Sequence, residues 1–514
     1  MQVVFRTDAS GAIGSGHVMR CLTLAESLRD GGAQVAFVAR LHEGNLNGLL
    51  RSRGFEVADL SELPSPPAQE QRTPPTQVAA DTHRDAHETR AAIRALGAQP
   101  TWLVVDHYGL DHRWETELRD TAAQILVIDD LADRHHDCNL LLDQNLVTGM
   151  ATRYAGKVPE RCTSLLGPRY ALLQPVYADL HHQVAPRTGP VRRICIYFGA
   201  ADRYGLTQLA LRAFLGLGKR DIEVDVVVDG AAADAAGLLA LAAGHANVRV
   251  HGRQPTLAHL LAGADLAVGA AGTTSWERLC LGVPSVVVTL ADNQRPLAAA
   301  LGERRLIDWL GHYDEVELAD LQNALARHIA AGADRASSSA GQALIDGEGA
   351  RRVRAALMVN ANSPVRVRPA VAADEHLLLQ WANDPTTRRN SFDPRVIAAE
   401  LHHRWLQDKL SAGRNCLLLV VETADAVPLA TVRFDRTEAG WKISYSLAAE
   451  YRGRGLGLRI VELALATLAR QYPESSCVVA RVMAANEPSQ RLFRRLGFEV
   501  VSNTAGAVEY RRSL

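Results

Sequence analysis

Two glycines and a histidine lie close together near the start of the chain, at Gly14, Gly16 and His17. The apolar run at residues 3–5 precedes them, which predicts a strand, a glycine-rich turn and then a helix. Both glycines allow positive φ angles and close approach of a ligand, and free N–H groups at a helix N-terminus attract anions. A neutral imidazole there, its pKa held down by the positive helix end, could act as a general base near pH 7. A phosphate-binding turn with an incidental histidine is the alternative.

A second glycine-rich turn, at Gly272, follows another apolar run and opens a predicted helix. The hydroxyls and amides of Thr273, Thr274 and Ser275 suit a diphosphate, whose charge a helix N-terminus favours. Glu277, about one turn into the helix, could accept hydrogen bonds from ribose hydroxyls. An ordinary helix-capping pattern is the alternative. Because both halves of the region carry such a turn, we favour a nucleotide-sugar site.

Further polar residues follow apolar runs, where parallel strands would end. Asp106 and Tyr108 could hold sugar hydroxyls or acetamido groups, or orient His17; their alternative role is in strand-terminal turns and caps. Asn293 and Gln294 could reach the sugar or the diphosphate, although a loop there would be polar in any case. With the turn at Gly272, the predicted substrate-binding residues are Arg6, Asp8, Gly14, Gly16, Arg20, Asp106, Tyr108, Gly199, Asn293 and Gln294.

A third glycine-rich segment, with the sequence Arg-Gly-Arg-Gly-Leu-Gly, lies at residues 452–457, between an apolar run and an amphipathic helix pattern. Successive N–H groups of such a turn can cradle a pyrophosphate, and the arginines add positive charge. A second motif, with Asn486 and Ser489, follows a later apolar run. The structural alternative is a helix start and an ordinary βα unit. The predicted cofactor-binding residues are Arg452, Gly453, Arg454, Gly455, Leu456, Gly457, Asn486 and Ser489.

Composition narrows the class of protein. A chain of 514 residues suggests about three domains. Lys and Arg (56) nearly balance Asp and Glu (57), which argues against a general nucleic-acid binder. The sequence has no apolar run long enough to span a bilayer and no signal-peptide pattern at its start. Seven scattered cysteines indicate reduced thiols in a cytoplasm, and we expect no metal site.

The alternation of apolar runs and helical patterns predicts the domains. Residues 1–183 and 190–345 each predict a parallel sheet flanked by helices, so that two Rossmann-like domains would form a cleft. Residues 61–77 predict a surface loop, 346–364 a linker, and 365–514 a third, α+β domain. The predicted strands of the first two domains are 3–5, 35–39, 103–106, 125–129, 140–143, 194–198, 224–228, 248–250, 266–269 and 285–289.

Several motifs in residues 1–350 together resemble the UDP-2,4-diacetamido-2,4,6-trideoxy-β-L-altropyranose hydrolases of pseudaminic acid biosynthesis. The matching segments are 6–8, 14–22, 106–111, 129–131, 142–145, 166–173 and 272–277. The resemblance implies a glycosyltransferase-B-like fold and hydrolysis of the sugar–UDP bond, in which water attacks C1 with inversion and His17 is the general base. One loop departs from the family pattern: Gly-Gly-Ser-Asp-Pro is usual after Phe198, where this chain has Gly-Ala-Ala-Asp-Arg.

The motifs of the third domain resemble the acetyl-CoA site of GNAT acetyltransferases. The resemblance implies that the 452–457 turn grips the CoA pyrophosphate, and that Asn486 and Ser489 contact the pantetheine arm. Many GNAT enzymes have a tyrosine that protonates the leaving thiolate where this chain has Phe493. Residues 381–391 resemble the substrate side of amino-sugar N-acetyltransferases. Glu422, His402 and His403 are possible bases, and a solvated surface role is favoured for the two histidines.

These interpretations combine into a bifunctional enzyme. The third domain would acetylate the 4-amino group of UDP-4-amino-4,6-dideoxy-β-L-N-acetylaltrosamine, and the first two domains would then remove UDP from that product. Its partners would be a UDP-sugar and acetyl-CoA as co-substrate, without nucleic acid, membrane or metal. The alternatives are a glycosyltransferase that uses a related UDP-sugar and a non-catalytic nucleotide-sugar sensor.

Overall fold

The computed structural model describes residues 1–11, 13–62, 82–199, 202–228 and 235–514. These residues form two compact units, Met1–Arg354 and Ala355–Leu514. The surface loop predicted at residues 61–77 lies outside the described residues from residue 63 onward, and so do Ala200 and Ala201 of the departing loop.

The first unit begins with a parallel sheet. Its strands in the described residues are β1 (Gln2–Thr7), β2 (Gln34–Arg40), β3 (Glu56–Leu60), β4 (Trp102–Asp106), β5 (Gln124–Ile128), β6 (Leu140–Asp143) and β7 (Thr163–Leu166). They pair in the order β3-β2-β1-β4-β5-β6-β7. The accompanying helices are α1 (Gly16–Asp30), α2 (Asn47–Ser52), α3 (Thr82–Ala95), α4 (His112–Glu117) and α5 (Pro175–His181). The order reverses between β1 and β4, the position at which such sheets open a ligand-binding crevice.

A second parallel sheet follows in the same unit. Its described strands are β8 (Arg193–Tyr197), β9 (Glu223–Val227), β10 (Val248–His251), β11 (Leu266–Ala270), β12 (Ser285–Thr289) and β13 (Asp308–His312). They pair in the order β10-β9-β8-β11-β12-β13, which reverses between β8 and β11. The helices are α6 (Leu206–Leu215), α7 (Ala235–Ala242), α8 (Ala258–Gly263), α9 (Thr273–Cys280), α10 (Arg295–Glu303), α11 (Leu318–Ala331), α12 (Arg335–Leu344) and α13 (Gly349–Met358).

The second unit has one mixed sheet with its own buried apolar core. Its strands are β14 (Val365–Pro369), β15 (Cys416–Thr423), β16 (Pro428–Thr437), β17 (Gly440–Leu447), β18 (Cys477–Met483), β19 (Glu499–Asn503) and β20 (Ala507–Ser513). They pair in the order β14-β15-β16-β17-β18-β20-β19, antiparallel except for β17 with β18. The helices are α14 (Glu375–Ala382), α15 (Pro385–Arg389), α16 (Ala399–Ser411), α17 (Leu456–Gln471) and α18 (Glu487–Arg495).

The predicted fold class is confirmed: two tandem Rossmann-like domains precede an α+β domain. In the first unit, the sequence analysis missed β3, β7 and β13. β3 and β13 lie at sheet edges and keep exposed or half-buried positions, while β7 is a short edge strand that begins with two hydroxyl residues. None of the three therefore forms a continuous apolar run. The segment predicted as a linker, 346–364, contains helix α13.

Candidate functional site

Both glycine-rich turns of the first unit lie where a sheet reverses its strand order. The first joins β1 to α1 beside the end of β4, since Thr7 pairs with Asp106. The second joins β11 to α9, and β11 pairs with β8, which leads into Gly199. Crevices at the carboxyl ends of parallel strands are the usual ligand sites of α/β proteins. The fold thus places both turns at such crevices.

His17 lies in the first turn of α1 and is only 6% exposed. Its Nδ1 is 2.6 Å from Oδ1 of the buried Asp106. A carboxylate accepts the Nδ1 proton, so the other ring nitrogen, Nε2, is the one that carries the basic lone pair. Among the described residues, Nε2 has no hydrogen-bond partner. A ring held in this way has the tautomer that a general base requires.

Arg20 holds Asp106 from the other side. Its Nε and Nη2 are each 2.6 Å from a different oxygen of Asp106, and its Nη1 is 2.9 Å from Asp130. Burial alone would raise the pKa of Asp106, but Arg20 and His17 hold it well below its usual value. The guanidinium of Arg20 is occupied by these two carboxylates, and its contact with substrate stays a prediction.

Tyr108 packs edge-on against His17, with ring centroids 4.4 Å apart. Its hydroxyl accepts a hydrogen bond from Nδ2 of Asn293 at 3.0 Å, so a residue from each Rossmann-like half meets at this point. Burial and Asp130 raise the pKa of Tyr108, which therefore keeps its proton. Gln294 uses its amide oxygen within its own turn, where it accepts a backbone N–H at 2.8 Å.

Arg6 and Asp8 are enclosed beneath this edge of the sheet. Arg6 donates to Asp8 and to Asp85 of α3, each at 2.6 Å, and has no exposed surface. Arg6 thus connects β1 to α3, and its contact with substrate stays a prediction. Asp85 also binds Arg40, at 2.7 Å. Sequence analysis missed Asp85 and Arg40, because neither residue lies in a motif and only the fold brings them close to β1.

One carboxylate oxygen of Asp8 is not hydrogen-bonded to any described residue. Its Oδ2 is buried and has no hydrogen-bond partner in the described part of the chain. His107 and His42, which follow β4 and β2, lie 3.4 Å and 3.7 Å from that oxygen. Burial would raise the pKa of Asp8, but Arg6 holds it well below its usual value, so the buried carboxylate is ionised.

The turn before α9 leaves the backbone N–H groups of the helix N-terminus uncapped, as an anion site needs. The hydroxyl of Ser275, in contrast, is already hydrogen-bonded within the protein. Gly272 has a φ of 135°, and no side chain among the described residues caps the helix. Thr273 is half-buried at this helix end. Thr274 donates to a carbonyl of β11 at 3.3 Å. Ser275 is fully buried and accepts from Arg278 at 3.1 Å, so its hydroxyl does not face a diphosphate as expected.

Glu277 is a buried acceptor that lacks a donor. Its Oε2 has no hydrogen-bond partner within the described residues. Burial raises the pKa of Glu277 to about 7, although the nearby Tyr177 and Arg278 lower it. Burial also lowers the pKa of Arg278, to about 10. An unpaired carboxylate oxygen at this position suits a ribose hydroxyl. Sequence analysis did not select Tyr177 or Arg278, because neither residue was singled out by a motif.

Glycine is required at only some of the predicted positions. Gly14 has a φ of 86° and Gly199 a φ of 100°, both in the left-handed region. Gly16 is the first residue of α1 and does not have a positive φ, so the sequence expectation is corrected there. Gly269 is needed for another reason, because a Cβ atom there would lie 2.2 Å from the carbonyl oxygen of Tyr197.

In the second unit, the turn before α17 has the predicted left-handed glycines. Gly453 and Gly455 have φ angles of 73° and 77°. Arg452 does not lie free beside them: its Nη1 is 2.7 Å from Asp384 and its Nη2 is 3.0 Å from Oγ1 of Thr387. These contacts direct Arg452 to the segment predicted to bind the acceptor, and its contact with a pyrophosphate stays a prediction.

Three other residues of this turn also make contacts within the protein. Arg454 donates to the carbonyl of Val359 at 3.1 Å, and burial lowers its pKa. Leu456 is buried in the core, so only its backbone can reach a ligand. A Cβ atom on Gly457 would lie 2.8 Å from the side chain of Leu492, which shows that this glycine allows α17 to pack on α18.

The second predicted cofactor motif forms the start of α18. Asn486 caps the helix by accepting the N–H of Ser489 at 3.2 Å. The hydroxyl of Ser489 is 2.9 Å from that of Tyr445, a residue that sequence analysis did not select. Phe493 is buried beside Tyr445, with ring centroids 5.9 Å apart.

The three candidate bases of the second unit differ in their surroundings. Glu422 is buried and binds Arg366 at 2.7 Å and Arg368 at 2.9 Å, so it is not available as a base. His402 is buried rather than solvated as favoured, and its ring nitrogens have no partner in the described residues. Burial lowers its pKa. His403 is exposed and pairs with a surface carboxylate.

Metal-binding groups and membrane-spanning helices can be assessed in the described part of the chain. No group of three or more His, Cys, Asp or Glu side chains there is arranged to hold a metal ion. No helix there is both long and apolar enough to cross a membrane.

Comparisons with known proteins agree with this division. Residues 365–499 match the family model of the acetyltransferase (GNAT) domain. A UDP-2,4-diacetamido-2,4,6-trideoxy-beta-L-altropyranose hydrolase of Campylobacter jejuni is 25% identical over 305 residues, 59% of this chain and 97% of that protein. An uncharacterized protein of Methanocaldococcus jannaschii, MJ1062, is 21% identical over 97% of both chains. The crystal structure of MurG from Acinetobacter baumannii has a TM-score of 0.47 at 15% identity and covers 69% of this chain and 98% of that one.

The fold and the comparisons define the class of protein. The first unit is a pair of Rossmann-like domains, and residues 365–499 of the second match the acetyltransferase (GNAT) domain. The N-terminal part is similar in sequence to a UDP-sugar hydrolase. Together these findings support a bifunctional sugar-nucleotide enzyme.

Proposed function

We propose that the chain catalyses two consecutive steps of pseudaminic acid biosynthesis in the cytoplasm. The GNAT domain acetylates the 4-amino group of UDP-4-amino-4,6-dideoxy-β-L-N-acetylaltrosamine. The first unit then hydrolyses the product, UDP-2,4-diacetamido-2,4,6-trideoxy-β-L-altropyranose, to free sugar and UDP. The likeness to the Campylobacter jejuni hydrolase and the GNAT match support this pair of reactions. Seven free thiols are consistent with a reducing compartment.

The observation that carries the hydrolase proposal is the hydrogen bond between His17 and Asp106, 2.6 Å long at the β1/β4 crevice. Nε2 of His17 takes a proton from water as the water oxygen bonds to C1 of the sugar. The C1–O bond to UDP breaks on the opposite face, so the configuration at C1 inverts. Asp106 remains ionised and stabilises the imidazolium, a form of general base catalysis worth about 10²- to 10⁴-fold.

The leaving group needs no strong acid, because a nucleoside diphosphate leaves as a stable anion. The uncapped N-terminus of α9, with Gly272 and Thr273, supplies N–H groups for the diphosphate. Oε2 of Glu277 accepts from the ribose, which gives its unpaired oxygen a donor. Asn293 and Tyr108, in contact across the two halves, lie between this turn and His17 and are the best placed to meet the sugar.

In the GNAT domain, the left-handed Gly453 and Gly455 leave backbone N–H groups for the CoA pyrophosphate, and Arg454 is the arginine that remains beside them. Asp384 and Thr387, linked to Arg452, belong to the acceptor side. The acetylated product of this domain is the substrate of the hydrolase unit, so a single chain raises the local concentration of the second substrate.

The full chain, incubated with acetyl-CoA and a panel of UDP-4-amino-4,6-dideoxy sugars, tests both activities by mass spectrometry. We expect N-acetylation of one sugar nucleotide, followed by release of UDP without any acceptor. A glycosyltransferase would release UDP only very slowly under these conditions. A non-catalytic sensor would consume no acetyl-CoA.

The role of His17 is tested by H17N, with H259N as the matched control because His259 is exposed on α8. We expect H17N to slow UDP release about 10²- to 10⁴-fold while acetyl transfer continues. The control should release UDP at the wild-type rate. Wild-type UDP release by H17N would contradict the assignment.

A further inference from the structure

Strands β17 and β18 separate part of the way along the sheet. They pair in parallel only between residues 441–443 and 478–480 in the described structure, while β17 continues to Leu447. Beyond that point β17 stays paired with β16 on its other side, with Tyr445 opposite Val432. The end of β17 thus borders an opening in the sheet on the side of β18.

One hydrogen bond connects this opening to the predicted cofactor motif. The hydroxyl of Tyr445 lies 2.9 Å from that of Ser489, in the first turn of α18. Phe493 follows Ser489 by one helical turn and packs edge-on against Tyr445, with ring planes at 78°. The phenol of Tyr445 therefore lies beside the ring that carries no ionisable group.

We propose that Tyr445 is the general acid of acetyl transfer, an inference that rests on the acetyltransferase activity proposed above. The acceptor nitrogen attacks the acetyl carbonyl, the C–S bond breaks, and the sulfur takes the proton of the Tyr445 hydroxyl. Ser489 donates to the resulting phenolate. The attacking nitrogen releases a proton to water in the tetrahedral intermediate, before the C–S bond breaks, so that the product is a neutral amide; water then returns a proton to Tyr445.

The surroundings of Tyr445 suit this role. Burial raises the pKa of Tyr445, although Ser489 lowers it, so the phenol is protonated at neutral pH and can donate. Phe493 packs against the ring, and the backbone of Tyr445 is fixed by the pairing of β17 with β16. A proton donor fixed in this way acts efficiently in general acid catalysis.

The variants Y445F and Y445F/F493Y test the proposal in the full chain, with whichever amine acceptor the wild-type protein acetylates best. We expect Y445F to lower kcat about 10²-fold or more, with little change in KM for acetyl-CoA. The double variant should recover most of that loss, because it places a phenol on the neighbouring ring. Y472F, which removes a phenol hydroxyl at the end of α17, is the matched control.

Three outcomes would overturn the proposal: wild-type kcat in Y445F, an equal loss in Y472F, or a loss that F493Y fails to restore. Circular dichroism of each variant verifies that it is folded. Failure of the proposed function would give a different result, because the wild-type chain would then leave the UDP-amino sugars unacetylated. The variants could still be compared with the wild type on another amine.

Discussion

Ionisation of Glu277 lowers the stability of the folded protein, and a ligand that donates a hydrogen bond to this residue can offset the loss. Its Oε2 is buried without a donor in the described structure, and burial raises its pKa from 4.5 to about 7. Ionisation is therefore less favourable in the folded than in the unfolded chain. The resulting loss of stability is absent below pH 4.5 and grows as the pH rises towards 7.

We expect E277Q to remove this cost and to weaken UDP binding. At pH 8 the variant should be more stable than the wild type by on the order of 1–3 kcal/mol, because no buried charge remains, and near pH 4.5 the difference should disappear. Thermal unfolding at the two pH values and calorimetric titration with UDP measure both effects. Equal stability differences at both pH values, or unchanged UDP affinity, would contradict the assignment.

At the scale of elements, the site depends on how closely strands and helices approach each other. β8 and β11 meet at Gly269, where a Cβ atom would lie 2.2 Å from the Tyr197 carbonyl oxygen and 2.9 Å from Arg278. Arg278 in turn holds Ser275 within α9. The glycine therefore allows β8 and the Arg278 side chain of α9 to lie close to β11.

We expect G269A to destabilise the first unit by about 1–3 kcal/mol or more and to weaken UDP binding, because β8 or α9 must move. G252A is the matched control, since a Cβ atom at Gly252 would meet nothing within 4 Å and its φ is not positive. Chemical denaturation and UDP titration of both variants test this. Similar stability losses in the two variants would show that the close approach is unimportant.

At the scale of the whole molecule, the two units have separate apolar cores. The core of the second unit draws its buried residues from 355–510 alone. A domain with its own core can fold by itself. We therefore expect a fragment of residues 349–514 to unfold cooperatively on heating and to retain acetyl transfer while releasing no UDP.

Circular dichroism and the mass-spectrometric assay compare this fragment with the full chain. A fragment that lacks cooperative unfolding would show that the second unit needs the first. A fragment that folds and still releases UDP would contradict the assignment of hydrolysis to the first unit.

Sequence alone predicted the order of the Rossmann-like and α+β domains and the position of the three glycine-rich turns. Apolar runs and glycines are local signals, and β1, β4, β8 and β11 were all predicted from them. His17 was selected because it follows such a turn. The exposed edge strands β3 and β13 gave no comparable signal, since their residues alternate or stay half-exposed.

Only the tertiary structure decided which polar residues are paired with other side chains. Arg6, Arg20 and Arg452 have the charge that a phosphate site needs, yet each is occupied by carboxylates brought from other elements. Pairing of this kind depends on distance in space and not on spacing in sequence. For the same reason, the partnership of Tyr445 with Ser489 emerged only from the fold, because 44 positions of chain separate two side chains that lie 2.9 Å apart.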